Sequence, residues 1–245
     1  MGIFQNHLMA GAVAATAGGA GFYTHQIAQS ARFDRASQSY LTQNFGTLTA
    51  AKWTVSLWFK RAQTGYAYST LIGRTDGNAQ LYFSDADALI NDSKYTNTVD
   101  GVYRDVGGWT NLVYNQKSVN SAAAYVNGVA RTVTVSGSGS FFIPWHTTST
   151  IGNMSGTGDT RFFDGYMAEV VGVYNQDLDN EDFGEFKNNV WVPIEPNVTF
   201  GSNDYYLKFE NASDLGNDSS GNNNDWTVNN MGTDHQVLDS PTFGG

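Results

Sequence analysis

The sequence predicts an all-β fold in which two antiparallel sheets stack as a sandwich. Three observations support this prediction: short segments alternate between apolar and polar residues, glycine and aspartate concentrate between those segments, and helical periodicity is nearly absent. The chain has 245 residues, enough for one sizeable core. We therefore expect a single β-sandwich with a small-residue extension at its N-terminus.

The predicted strands follow one another from about residue 30. Residues 53–60 alternate between an apolar and a mixed face, and the apolar face consists of Trp53, Val55, Leu57 and Phe59. Residues 122–135 contain the clearest hairpin, because Asn127-Gly128 can supply the two positive-φ residues of a type I′ turn. Further strands are predicted at 69–74, 79–84 and 109–115.

One short helix is predicted after residue 178. Asp179 can cap its N-terminus, and Glu181 and Asp182 lie in the first turn, where the helix dipole favours acidic residues. Lys187 lies near the expected C-terminal end, where a basic residue is favoured.

Composition excludes several classes of partner and chemistry. The net charge of −10 repels the phosphates of nucleic acids and anionic membrane surfaces. Cysteine is absent, which excludes disulfides, thiolate metal sites and thiol nucleophiles. The surface is rich in Asn, Ser, Thr and Gly instead of charged residues, as is common in extracellular β-proteins and virus-particle proteins.

Residues 1–29 form a distinct N-terminal segment, since no Lys, Arg, Asp or Glu precedes Arg32. The apolar stretch 8–23 is too short to span a membrane, and it lacks the positive flank of a signal peptide. We predict a segment that docks on another subunit, with a flexible Ala/Gly leader as the alternative. Its predicted assembly contacts are Leu8, Met9, Val13, Phe22 and Tyr23.

Several motifs, taken in order, resemble those of laminin G-like, concanavalin A-like jelly-roll domains. They are "TVSLWFKR", "GGWTNLVYN", "AAAYVNGV", "TIGNMS" and "RFFDGYMAEVVGVYNQDLDNEDF". The resemblance implies a two-sheet jelly roll over residues 30–192. It also implies that Trp53, Trp58 and Trp109 pack the sandwich.

The remaining residues, 193–245, are predicted to return a strand to the sandwich. Residues 205–228 resemble the segment that usually opens a laminin G-like domain, yet here they come last. We expect Tyr205–Phe209 to pair beside a strand of the main sandwich, which would complete the sheet in permuted order.

The overall layout is similar to a group of tailed-bacteriophage virion proteins. The shared marks are the small-residue leader, the jelly roll, Arg32-Phe33-Asp34, Ser39-Tyr40-Leu41, residues 217–222 and residues 237–242. This resemblance implies a structural protein of a phage particle, either in capsid decoration or in the tail.

Catalysis is not predicted. Concanavalin A-like glycoside hydrolases carry a pair of acids on one strand, and Glu169 is the candidate here. By strand parity its face is shared by Gly165, Met167, Val171 and Val173, none of which is acidic. Glu169 is therefore interpreted as a structural acid. The histidines His7, His25, His146 and His235 show no metal-ligand spacing.

No cofactor is expected, although calcium stays open because many laminin G-like domains hold one at the sandwich rim. The weak candidate ligands are Asp76, Asn78, Asn153 and Asp159, whose oxygens would suit the ion. Each loop offers only one carboxylate. The pair at 85–87 is interpreted as a solvated turn.

A sugar site would need exposed aromatic rings beside amide and acid groups. The best such position in the sequence is Trp145-His146, with Asp159 and Arg161 expected near it across the rim.

The leading hypothesis is a non-enzymatic structural protein of a phage particle, anchored through its N-terminal segment. We expect it to be assembled in the host cytoplasm and carried on the virion. Its expected partners are other virion subunits and copies of itself, with a trimer as one arrangement. The alternative is a glycan-binding adhesion module that recognises the host cell surface.

Overall fold

Two antiparallel sheets stack face to face in the computed structural model, which describes residues 21–49, 52–76, 79–92, 95–118, 120–137, 147–154 and 160–242. The predicted all-β sandwich is therefore confirmed. In chain order the strands are β1 (Ser30–Phe33), β2 (Tyr40–Gly46), β3 (Trp53–Arg61), β4 (Ser69–Arg74), β5 (Gln80–Phe83), β6 (Leu89–Asp92), β7 (Tyr95–Val99), β8 (Thr110–Ser118), β9 (Ser121–Val126), β10 (Val129–Arg131), β11 (Val133–Gly137), β12 (Thr147–Ile151), β13 (Gly165–Tyr174), β14 (Gly184–Lys187), β15 (Val190–Pro193), β16 (Tyr205–Leu207), β17 (Thr227–Asn229) and β18 (Gln236–Val237).

Each main sheet has eight strands among the described residues. Sheet A runs β10-β9-β8-β3-β13-β1-β18, with β16 also paired to β13. Sheet B runs β11-β7-β6-β5-β4-β12-β2-β17. Strands β14 and β15 form a separate hairpin. No helix in the described part of the chain has the length and apolar character needed to cross a membrane.

The core between the sheets follows the alternation in the sequence. Trp53, Val55 and Leu57 are fully buried on the inner face of β3, and the Trp53 ring lies 5.2 Å from that of Tyr114. Trp58 points the other way and packs with Ile27 on the outer face of sheet A, where Trp109 is partly buried. The outer face is thus also covered, so only the first of the three tryptophans lies between the sheets.

The predicted hairpin is present but its second arm is shorter than expected. Asn127 and Gly128 adopt φ values of 49° and 73°, as a type I′ turn requires. Strand β10 ends at Arg131, and the backbone N–H of Asp100 donates to the carbonyl of Thr132 at 2.8 Å. The chain therefore crosses at Thr132 from sheet A to the edge of sheet B.

The predicted helix is a single 3₁₀ turn at Asn180–Asp182. Asp179 caps it, accepting a hydrogen bond from the backbone N–H of Glu181 at 3.0 Å. Lys187 is not part of this turn, because residues 184–187 pair with 190–193 as β14 and β15. A short hairpin has replaced the expected C-terminal half of the helix.

The C-terminal residues add strands to both sheets. Strand β16 pairs with Val170–Gly172 of β13, β17 pairs with β2, and β18 pairs with β1. Trp226 and Phe209 are buried in the central core. Side chains between residues 205 and 231 therefore belong to the same hydrophobic core as the jelly roll.

Glu169 occupies a β-bulge in the middle of β13. The register with β3 shifts between Ala168 and Val171, and Glu169 has a φ of 46°, in the left-handed region. Met167 and Val170 both face the central core, whereas Val171 faces the outer side. The parity prediction that Met167 shares the face of Glu169 is therefore wrong, because the bulge inserts an extra residue.

The Glu169 carboxylate holds the N-terminal segment on the outer face of sheet A. Its Oε1 accepts hydrogen bonds from the hydroxyl of Tyr206 at 2.6 Å and from Nε2 of His25 at 2.6 Å. Nδ1 of His25 lies 3.1 Å from the carboxylate of Glu195, which also pairs with Lys208 at 3.4 Å. Glu169 thus connects β13 to β16 and to the N-terminal segment.

The hydrogen bond to Glu169 raises the pKa of His25, and the charges of Glu169 and Glu195 add to this effect against burial and Lys208. A histidine with a raised folded pKa contributes stability that is complete below its unfolded pKa of about 6.5 and lost as pH rises through the folded value. The contribution of His25 to the free energy of unfolding should therefore be larger at about pH 6 than at about pH 8.

Urea unfolding at both pH values checks this prediction. The variant His25→Gln should lose this part of the pH dependence, while His235→Gln should keep it. Equal pH dependence in His25→Gln and the unmodified chain would show that His25 is not the titrating group.

Candidate functional site

The rim is defined here as the end of the sandwich formed by residues 34–39, 62–68, 84–88, 100–109 and 160–164. A buried carboxylate, Asp87, lies within it between β5 and β6 and is 2% exposed. Its Oδ1 accepts from the backbone N–H of Gly65 at 2.7 Å and pairs with Arg61 at 3.0 Å. Its Oδ2 pairs with Arg104 at 2.9 Å.

Arg61 is the buried partner of this carboxylate. It occupies the last inward-facing position of β3, is 1% exposed, and lies 4.3 Å from the centre of the Phe83 ring. It also donates to the carbonyl of Tyr103 at 2.5 Å, and the backbone N–H of Tyr103 donates to the carbonyl of Asp87. The ion pair therefore ties loops 62–68, 84–88 and 100–109 to one another.

Burial alone would raise the pKa of Asp87. Hydrogen bonds from Gly65, Arg104 and Arg61 more than offset it, so the pKa of this carboxyl lies below its ordinary value. The interpretation of residues 85–87 as a solvated turn holds for Asp85, which is exposed, and is wrong for Asp87. The burial of Asp87 could have been predicted from Arg61, because a cation on the apolar face of a strand needs a buried partner of opposite charge.

The first pocket of the rim has a volume of about 580 Å³ and combines one tyrosine ring with charged groups. Its polar lining consists of Arg32, Asp34, Arg35, Gln63, Tyr66 and Asp164. The guanidinium of Arg35 lies 4.3 Å above the Tyr66 ring and donates to the carbonyl of Thr160 at 2.7 Å. Tyr66 is 43% exposed, so part of its ring faces solvent.

Asp34 and Asp164 supply the acceptors of this pocket. Asp34 pairs with Arg32 at 3.2 Å and accepts from the backbone N–H of Ala36 at 2.8 Å. Burial raises the pKa of Asp164, and the neighbouring Asp34 adds to this effect. The two aspartates and two arginines balance in charge, which suits a neutral, hydrogen-bonding ligand.

A second aromatic pair lies beside the first pocket. Tyr68 stacks on Tyr82 with ring centres 5.1 Å apart, and Arg161 lies 5.9 Å from the centre of the Tyr68 ring. Tyr68 is 44% exposed, whereas burial raises the pKa of Tyr82 to about 12. These tyrosines were not among the predicted site residues. They could have been selected from the sequence because Tyr66 and Tyr68 lie two residues apart in a glycine-containing loop.

The second pocket of the rim, of about 380 Å³, lies on the other side of Asp87. Its polar lining consists of Tyr103, Arg104, Asp105, Thr110, Asn127 and Arg131, with Val102 exposed beside them. Asp87 therefore contacts the lining of the second pocket through Arg104. Through Gly65 it also contacts the loop that carries Tyr66 of the first pocket.

The predicted glycan contacts are only partly within the described residues. Trp145, His146 and Asp159 lie outside them. Arg161 is half-buried, contacts the sulfur of Met154 at 2.8 Å, and lies beside Tyr68. This arginine is the predicted contact that the structure brings to the rim.

The calcium candidates are similarly divided, since Asn78 and Asp159 lie outside the described residues. Asp76 pairs with Arg74, and Asn153 is buried and accepts from the backbone N–H of Met154 at 2.6 Å. Among the described residues, no group of three or more His, Asp or Glu side chains could hold a metal ion.

Of the predicted assembly contacts, Leu8, Met9 and Val13 lie outside the described residues. Phe22 is 38% exposed and packs edge-on against Tyr23, with ring centres 5.0 Å apart. Both rings belong to the segment that His25 and Ile27 attach to sheet A.

Replacement of Asp87 should destabilise the fold. Asp87→Asn leaves Arg61 buried without a neutralising charge, so the free energy of unfolding should fall by about 3–5 kcal/mol. The control Asp85→Asn removes an exposed carboxylate two residues away and should change it by less than about 0.5 kcal/mol. Urea unfolding checks both variants, and equal stabilities would contradict this role of Asp87.

Several solved structures resemble this chain. A protein from Bacteroides ovatus, described provisionally as carbohydrate binding, is 18% identical with a TM-score of 0.46; the match covers 61% of this chain and 44% of that one. Domain 4 of AbnA, a GH43 extracellular arabinanase of Geobacillus stearothermophilus, in complex with arabinotriose, is 18% identical with a TM-score of 0.45, and the match covers 58% and 69%. The CBM40 of the Ruminococcus gnavus IT-sialidase, bound to alpha2,3 sialyllactose, is 14% identical with a TM-score of 0.44, and the match covers 64% and 96%.

The chain spans less than half of the first of these proteins, and at such identities the similarity concerns the fold alone. A comparison with curated protein sequences gave no match. A family model, Laminin_G_3, described as concanavalin A-like lectin/glucanases superfamily, matches residues 34–182, which is more than half of the chain. The chain therefore belongs to the laminin G-like family of the concanavalin A-like lectin/glucanases superfamily.

Proposed function

We propose that this protein is a non-catalytic, lectin-like module that binds a glycan at the rim of its sandwich. The observation that carries the proposal is the first pocket, in which the exposed ring of Tyr66 adjoins carboxylate, amide and guanidinium groups. Binding sites of this kind combine an apolar surface with a few well-placed polar groups that fix the orientation of the ligand.

The chemistry of the pocket suits a neutral sugar ring. The C–H face of a sugar would pack on Tyr66, whose ring is held in place by Arg35 at 4.3 Å. Asp34 and Asp164 are acceptors for sugar hydroxyls, Arg32 is a donor, and Gln63 can act as either. Each group would then exchange a hydrogen bond with water for one with the ligand.

The absence of catalysis remains part of this proposal. It is supported by the position of Glu169, whose Oε1 is occupied by Tyr206 and His25 beneath the N-terminal segment. A general acid would need access to the glycosidic oxygen of a substrate.

Truncation of Tyr66 tests the proposed site. On an array of bacterial surface polysaccharides and defined oligosaccharides, Tyr66→Ala should weaken binding to the best ligand at least about 10-fold, because a central aromatic contact is lost. The control Phe186→Ala removes a 54% exposed ring on the outer side of sheet A and should bind normally.

Two results would contradict the proposed site. Normal binding by Tyr66→Ala would exclude the first pocket. Loss of binding in Trp145→Ala alone would instead assign the site to the predicted Trp145, His146 and Asp159 contacts.

We further propose that this module is carried on a tailed-phage particle and attached to it by the predicted docking segment, residues 1–29, of which residues 1–20 precede the part that contacts the sandwich. The support is the sequence resemblance to virion proteins, together with the attachment of the following residues to the sandwich. The backbone N–H of Ile27 donates to the Thr242 hydroxyl at 2.9 Å, and that hydroxyl donates to the carbonyl of Ile27 at 2.9 Å. If residues 1–20 are anchored on the particle, these hydrogen bonds connect the anchor to the sandwich.

Deletion of residues 1–20 tests the anchor, since it removes none of the contacts made by His25 and Ile27. The shortened chain should keep its melting temperature and glycan binding but fail to enter phage particles when supplied in place of the full chain. Immunogold electron microscopy and peptide mass spectrometry of purified particles measure incorporation. Unchanged incorporation would contradict the anchor.

A further inference from the structure

The outer edge of β11 is open in the described part of the chain. Strand β11 is the last strand of sheet B and pairs on one side only, with β7. An unpaired strand edge presents rows of free N–H and C=O groups that can pair with another strand. Natural proteins usually protect such edges with charges, proline or a bulge.

None of these protections is present in β11. Its sequence, "VTVSG", contains no charged residue and no proline, and its register with β7 is continuous from Val133 to Gly137. Arg131 is the charged residue nearest to it within residues 122–137, and it is positive in a chain of net charge −10. The strand itself therefore places no charged side chain against a second copy.

The backbone groups that point outward can be identified. The N–H of Asp100 donates to the carbonyl of Thr132, so the main-chain groups of Thr132 point towards β7. Because orientation alternates along an antiparallel strand, the N–H and C=O of Val133 and Val135 and the N–H of Gly137 point away from the sheet. The φ of Gly137 is 99°, so its C=O does not follow this alternation.

We propose that this edge pairs with the same edge of a second copy of the chain, antiparallel, about a two-fold axis at Val135. Val135 then pairs with Val135 of the other copy, and Val133 pairs with Gly137. The three pairs use these outward-pointing groups, which gives up to about four main-chain hydrogen bonds. The strand is thus complementary to itself.

The side chains also agree with this pairing. Val133 packs against the central core, and Val135, two residues on, lies on the same face. The two Val135 side chains would therefore meet on the inner side, extending the apolar layer across the axis. Such an interface forms a closed dimer, because each chain uses the same strand edge to bind the other and neither keeps that edge free for a third chain.

Replacement of the Val135 backbone N–H tests the proposal in the full-length chain. Val135→Pro removes an N–H that does not bond to β7, so the edge strand should still form. The control Val135→Ile keeps both the N–H and an apolar, β-branched side chain. Sedimentation velocity over a concentration series should show a dimer for the unmodified chain and Val135→Ile, with at least about 10-fold weaker association for Val135→Pro.

Hydrogen–deuterium exchange of the unmodified chain gives a second measurement, independent of how Val135→Pro folds. Amides in residues 133–137 should become protected as the concentration rises. A monomer at all concentrations, a trimer, a Val135→Pro dimer of full strength, or exchange that does not depend on concentration would overturn the proposal.

Discussion

The rim of this sandwich depends on the buried ion pair between Asp87 and Arg61. Arg61 continues the apolar face of β3, so its charge lies between the sheets and must be neutralised there. Asp87 does this from sheet B and uses its remaining bonds on Gly65 and Arg104. The positions of two surface loops are therefore fixed by a contact in the core, which is how a rim of irregular segments can present a preformed site.

The two ends of the chain have a different structural role. Residues 21–30 and 236–242 lie together at β1, where Ile27 and Thr242 exchange hydrogen bonds and Ser30 pairs with Val237. With the β14–β15 hairpin they cover the outer face of sheet A. The bulge at Glu169 allows a carboxylate to reach that side and bind His25. The outer face is thereby closed, and the rim keeps the exposed tyrosines.

Local sequence patterns predicted the features that depend on neighbouring residues. Alternation from Trp53 to Phe59 indicated β3, and Asn127-Gly128 indicated the turn between β9 and β10. The patterns failed where distant residues decide the outcome. Alternation along a regular strand placed Met167 on the same face as Glu169, but a β-bulge lies between them. Asp87 was interpreted as a solvated residue because its partner, Arg61, is 26 positions away in the sequence. Tyr66 was missed because its partner, Arg35, lies on another loop.

The most direct measurement of the central claim is hydrogen–deuterium exchange of the full chain with and without the strongest glycan ligand from an array. If the rim is the binding site and Asp87 connects its loops, the ligand should slow exchange in residues 62–68 and, through the shared carboxylate, in residues 100–109. Protection confined to other segments, such as the outer face of sheet A, would contradict the account.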